Sequence, residues 1–200
     1  FTPFGCNSRL CSCCGKRYTD QWASMLAERL EKNIFHRHLV FSIPEMLWKY
    51  FQEDRTLYKV LMDTAYKTIK ETFSKINHQK VIPGVIEVHH PFGKDIKHQP
   101  HVHCIVTEGG FTNEGKFVSS GNYIPYNALH KNWECHILNA LKKYLPEGVV
   151  DEAYRRYPNG FCVYVREDRI SSRKGLARYI GRYVRHPAIA NSRINAYNGE

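Results

Sequence analysis

The stretch "KHQPHVHCIV" (97–106) decides how this chain is read. His101 and His103 flank a single apolar residue, and Val102, Cys104 and Val106 alternate with them. Alternation of period two is the mark of a half-buried strand, on which residues i and i+2 point to the same face. The two imidazoles then stand side by side above an apolar underside, where two neighbouring nitrogens can chelate one divalent ion. With 11 histidines in 200 residues, His-x-His arises about 0.6 times by chance. Here it occurs twice, at His36/His38 and at His101/His103, and context separates the two pairs.

Immediately upstream, "VIPGVIEVHH" (81–90) reads as a strand joined to a second one at 101–110 through the loop "PFGKDIKHQP". The neighbouring strand offers Glu87, His89 and His90 as a third ligand. If Ile86 and Val88 share the core face, alternation favours Glu87 or His89, and His90 reaches the site only through a bulge or turn. Further out, "HRHLVFSIP" (36–44) is a short strand stopped by Pro44, and 45–76 is helical, as two helices or one bent one. Residues 126–144 form a helix, "GFCVYVRE" (160–167) a strand, and "SSRKGLARYIGRYVRH" a last helix opened by capping serines and stopped by Pro187. "DQWASMLAERLEKNIF" reads as a helix from 20, with Asp20 as N-cap. This order of strand, helices, hairpin, helix, strand and helix predicts an α+β fold, an antiparallel sheet carrying helices.

Composition narrows the function. Net charge is +10, from 29 Lys and Arg against 19 Asp and Glu, which suits a polyanionic partner, nucleic acid above all. The 13 tyrosines and 10 phenylalanines interleaved with that charge suit stacking on unpaired bases. No apolar run approaches a membrane span and no signal segment opens the chain, so a soluble protein is expected. The sequence starts at Phe1 and stops after "NAYNGE", as a piece of a longer protein would. Four of seven cysteines fall within nine residues, "CNSRLCSCC" (6–14). Such clustering in a basic chain fits a reduced compartment and zinc thiolates better than a disulfide framework. In "RKGLARYIGRYVRH", Tyr179 and Tyr183 share one helical face, with Arg178, Arg182 and Arg185 beside them. A tyrosine hydroxyl attacks phosphorus only when the phosphate is polarised, which a metal and nearby guanidiniums would supply.

Taken together, "HQPHVHCIV" followed by "GG", and "YIGRYVRHPAIANSRI", resemble the rolling-circle insertion-sequence transposases with the histidine–hydrophobe–histidine (HUH) nuclease fold, two-tyrosine class. "CNSRLCSCCGKRYTDQW" is similar to that family's zinc-binding N-terminus, "HLVFSIP" to its first strand, and "VHHPFGKDIKHQPHVH" to its metal-site hairpin. The likeness runs from Cys6 to about Ile194. It implies an HUH sandwich of ferredoxin or RRM-like type, with a zinc-binding segment over 1–20 and the nuclease domain over 21–200. It implies a Mg²⁺ or Mn²⁺ site on His101 and His103, with His90 preferred over Glu87 as third ligand. Tyr179 and Tyr183 would be the nucleophiles, Cys6, Cys11 and Cys14 ligands of a structural Zn²⁺, and Arg173, Lys174, Arg178, Arg182 and Arg185 a DNA-backbone grip. The implied activity is nicking and rejoining of single-stranded DNA at transposon ends and target through a 5′-phosphotyrosine, in a prokaryotic cytoplasm, near the nucleoid. A replication initiator or relaxase, or an inactive single-strand binding module, is the alternative. Two departures stand out: "HPF" at 90–92, where the family carries threonine after the histidine, and a cysteine set with three matched ligands in place of four.

Overall fold

The computed structural model describes residues 12–29, 33–93, 95–121 and 124–170, with Gly175 and Gly181. The chain divides into two compact units, Phe1–Ile34 with Ile170–Glu200, and Phe35–Arg169.

In the first unit, α1 (Ser12–Arg29) is already helical eight residues before Asp20. Asp20 is an exposed mid-helix residue, so its reading as an N-cap is corrected. Nothing in "SCCGKRYT" breaks the helix, and Thr19 returns its hydroxyl to the Gly15 carbonyl at 2.9 Å, the back-bond open to a helical threonine. Gly175 and Gly181 are both helical, within the last helix that the sequence predicts. Gly181 is buried against α1: a Cβ there would stand 2.7 Å from Thr19 Cγ2 and 3.8 Å from Ala23 Cβ. Only glycine fits that approach without displacing Thr19.

The second unit is an antiparallel sheet with helices packed on one face, its strands side by side in the order Val85–Phe92, His98–Thr107, His36–Ser42 and Val163–Val165. Its strands are β1 (His36–Ser42), β2 (Val85–Phe92), β3 (His98–Thr107) and β6 (Val163–Val165). The helices are α2 (Trp48–Glu53) after a 3-10 turn at Glu45–Leu47, α3 (Leu57–Ile76), α4 (Tyr126–Leu141) and α5 (Val149–Arg156). A small hairpin, β4 (Gly109–Phe111) with β5 (Phe117–Ser119), completes the unit. The α+β class and the antiparallel sheet expected from the sequence are what the structure has.

The core lies between one sheet face and the helices. Leu39 and Phe41 of β1, Val102, Cys104 and Val106 of β3, and Val163 and Val165 of β6 meet Leu61, Ile69, Leu129, Trp133 and Ile137 of α3 and α4. Trp133 is fully buried, edge-on to Phe41 with centroids 5.0 Å apart, and donates its indole N–H to the Ser42 carbonyl at 2.8 Å. Full burial of each large apolar side chain contributes on the order of 2–3 kcal/mol. Packing the alternate residues of β1, β3 and β6 inward presents the opposite set on the other face.

Several boundaries differ from the sequence reading: β2 starts at Val85 rather than 81, α4 ends at Leu141 rather than 144, and β6 is confined to Val163–Val165. The central hairpin runs closer to its turn than expected, since β2 continues through Pro91 and Phe92 while β3 begins at His98. The second strand stops at Thr107 because Gly109 adopts φ +139, which an L side chain rarely takes. A Cβ on Gly110 would meet the Ile82 backbone at 2.8 Å, so the glycine pair turns the chain out of β3 into β4 beside Ile82. Helix α5 and the β4–β5 hairpin were not read from the sequence at all.

Candidate metal centre

Register fixes which side chains meet. β2 pairs with β3 so that His90 stands opposite His101, Val88 opposite His103 and Glu87 opposite Cys104. Residues directly opposite in an antiparallel pair share a face. His90, His101 and His103 therefore project together from the face opposite the core helices. One ring nitrogen from each lies within 4.8 Å of the others. Ring centroids are 4.6 Å apart for His90–His103, 5.0 Å for His101–His103 and 5.4 Å for His90–His101.

The same register corrects the expectation that Glu87 belongs with the histidines. Glu87 and His89 lie on the opposite face, with the core residues Cys104 and Val102. The Cys104 thiol points to Glu87 Oε1 at 3.9 Å, and His89 sits against the Tyr58 ring with centroids 4.9 Å apart. Alternation misled because β2 is an edge strand, partly exposed on both sides. On such a strand Ile86 and Val88 need not mark the core face. No bulge is required to bring His90 in. The register shift falls after it, at Pro91, where a missing N–H interrupts the ladder.

Hydrogen bonds behind the rings orient His101 and His103. His101 Nδ1 donates to the Gln99 carbonyl at 2.7 Å, which leaves Nε2 with its lone pair. His103 Nδ1 meets His38 Nε2 at 2.8 Å, and the two rings are parallel within 3°. Burial holds His103 far down, at about 2, helped by the neighbouring His90, His101 and His38. Burial likewise lowers His101, against the opposing bond to Gln99. His38 falls to about 4 through burial, then through Arg166 and His90. His38, His101 and His103 are thus neutral at physiological pH, and a neutral imidazole is the form that ligates a metal. Three imidazole nitrogens clustered on one hairpin fit a divalent ion that keeps further coordination positions for a substrate.

The sequence reading passed over His38, the second member of the other His-x-His pair. The available signal was the pattern itself, found twice where chance gives less than one. Glu87 has its own electrostatics: burial, then the nearby Asp63, raises its carboxyl to about 7 against the contact with Cys104.

Cys14 is on α1 and half-buried. Cys6, Cys11, Arg173, Lys174, Arg178, Tyr179, Arg182, Tyr183 and Arg185 fall outside the described residues. Among the described residues no helix is long and apolar enough to cross a membrane.

The sequence profile of the family described as "Putative transposase" matches residues 84–200, and that of a "Transposase zinc-binding domain" matches residues 1–43. "Putative transposase y4qJ" of Sinorhizobium fredii (strain NBRC 101917 / NGR234) is 26% identical over 209 residues, covering 94% of this chain and 52% of that protein. "Transposase for insertion sequence element IS801" of Pseudomonas savastanoi pv. phaseolicola is 26% identical over 207 residues, covering 96% of this chain and 49% of that protein. The chain spans about half the length of the curated relatives it matches. Among solved structures, the conjugative relaxase TrwC in complex with oriT DNA is similar in its metal-free form at TM-score 0.42, with 12% identity over 76% of this chain and 66% of that one. Its metal-bound form gives TM-score 0.42 and 11% identity over 78% and 66%. A transposase profile over more than half the chain, preceded by a transposase zinc-binding profile, places this protein in the family that its histidine pair and tyrosine pair resemble: the chain belongs to the rolling-circle insertion-sequence transposases.

Proposed function

We propose that this chain nicks and rejoins single-stranded DNA at the ends of a mobile element through a covalent 5′-phosphotyrosine. The observation that carries the reading is the cluster of His90, His101 and His103 on the sheet face opposite the core helices, one nitrogen of each within 4.8 Å of the others. These residues would hold Mg²⁺ or Mn²⁺, which when bound supplies charge neutralisation and alignment at a scissile phosphate. Tyr179 or Tyr183 is the attacking group. Its hydroxyl loses a proton as the oxygen bonds to phosphorus, the bond to the 3′ oxygen breaks, and that oxygen leaves as a hydroxyl. The phosphodiester energy stays in the tyrosine link, so a later 3′-hydroxyl can reverse the step and join strands without ATP. Two tyrosines allow two successive transfers, one for each element end. Arg173, Lys174, Arg178, Arg182 and Arg185 bind the DNA backbone, in keeping with the net charge of +10. Cys6, Cys11 and Cys14 are ligands of a structural Zn²⁺ in the N-terminal segment. The reaction belongs in a prokaryotic cytoplasm, on chromosomal DNA.

The test is cleavage of labelled single-stranded oligonucleotides carrying the element ends, with Mn²⁺ or EDTA. Wild type is run beside Tyr179→Phe, Tyr183→Phe and the double variant. A metal-dependent protein–DNA adduct that the double variant lacks is the expected result. Tight single-strand binding with no adduct in any metal would replace the enzyme reading with a binding module.

A further inference from the structure

The three clustered histidines do not stand in equivalent surroundings. Nδ1 of His101 faces the Gln99 carbonyl, which can only accept, so its proton sits on Nδ1 and Nε2 is left for a metal. Nδ1 of His103 faces another imidazole nitrogen, His38 Nε2, at 2.8 Å. Either ring can be the donor there. If His38 donates, the remaining proton of neutral His103 sits on Nε2 and blocks ligation. If His103 donates, its Nε2 lone pair is exposed and His38 must carry its own proton on Nδ1.

His38 is placed for this by the fold. It lies on the central strand β1, opposite Ile105 and therefore on the same face as His103, one step along the ladder. It is buried and its ring is parallel to that of His103 within 3°, so the nitrogen pair is held in a fixed geometry.

We infer that His38 is a positioning residue for the metal centre: its Nε2 accepts the Nδ1 proton of His103 and so fixes both the tautomer and the orientation of that ligand. The inference rests on the reading of His90, His101 and His103 as a metal site. Partners behind a metal-binding histidine typically set 10- to 100-fold in affinity.

The test uses the full chain, with Mn²⁺ as probe and free Mn²⁺ followed by electron paramagnetic resonance. His38→Leu fills the space and removes the acceptor, while His38→Gln restores an acceptor oxygen near the position of Nε2. Expected is Mn²⁺ binding about 10- to 100-fold weaker in His38→Leu and within about threefold of wild type in His38→Gln. Thermal unfolding of each variant without metal separates this pattern from loss of the fold, because a packing role would lower stability and affinity together in both variants. Equal affinity in all three proteins overturns the inference. So does equal weakening by Leu and Gln, which would make the role one of shape. His103→Ala is the control for the site itself. If wild type binds Mn²⁺ no better than His103→Ala, the metal-site reading falls and takes this inference with it. If His103→Ala abolishes binding and the His38 variants do not weaken it, the inference about His38 alone fails.

Discussion

Replacing Glu87 with glutamine separates two roles that the sequence leaves open for this residue. The carboxyl lies on the core face of the sheet, opposite Cys104, and is raised from 4.5 to about 7 by burial and by Asp63. A carboxyl raised in the fold costs nothing below the unfolded value, where both states are protonated. The cost grows as pH rises from 4.5 to 7 and is constant above that. A rise of this size corresponds to at most about 3 kcal/mol. Glu87 is only half-buried, so solvent screening cuts the working figure to about 1 kcal/mol. Glutamine keeps the shape and carries no charge at any pH. Glu87→Gln should therefore raise Tm by about 2–4 °C at pH 8.5 and leave it unchanged at pH 4.5, measured by calorimetry on the metal-free protein. In the same protein, Mn²⁺ affinity should stay within about threefold of wild type, since a group on the far face neither ligates the ion nor orients its ligands. A loss of Mn²⁺ affinity of about tenfold or more would refute the face assignment. A Tm that does not respond at pH 8.5 would refute the electrostatic argument.

Two further substitutions probe the packing of each unit. Trp133→Ala removes a fully buried indole against Phe41 and orphans the Ser42 carbonyl; urea unfolding should show a loss of about 3–5 kcal/mol. Gly181→Ala sets the helix preference for alanine, about 1 kcal/mol, against a methyl placed 2.7 Å from Thr19 Cγ2. Overpacking of about 1–3 kcal/mol should make the single variant neutral or destabilised. In a Thr19→Ser background, which removes that methyl and keeps the hydroxyl bonded to Gly15, the same change should stabilise, and a double-mutant cycle measures the coupling.

What the sequence revealed depended on how far apart the determinants lie along the chain. His101 and His103 could be read together because strand geometry alone sets the relation of i to i+2, whatever the strand pairs with. Assigning the third histidine required the parity of β2, which the sequence supplied only through an assumption that Ile86 and Val88 face the core. That assumption holds for a strand with one wet face and fails for an edge strand, whose apolar residues are half-exposed on both. The family motif, not alternation, points to His90. His38 was out of reach by this route, since it meets His103 only because β1 enters the sheet beside β3, 65 residues away in sequence. No local period encodes that neighbour relation. The same distinction explains Asp20, whose N-cap chemistry is a local cue that the uninterrupted run from Ser12 overrides. It also explains the "GG" at 109–110, legible as punctuation but not as the exit from β3, because the close contact of Gly110 is with Ile82. If His38 governs the tautomer of His103, a ligand that local sequence names depends for its competence on a residue that only the sheet order brings to it. On that reading the histidine pair marks the site, and the arrangement of β3 against β1 determines how well one of its members can bind.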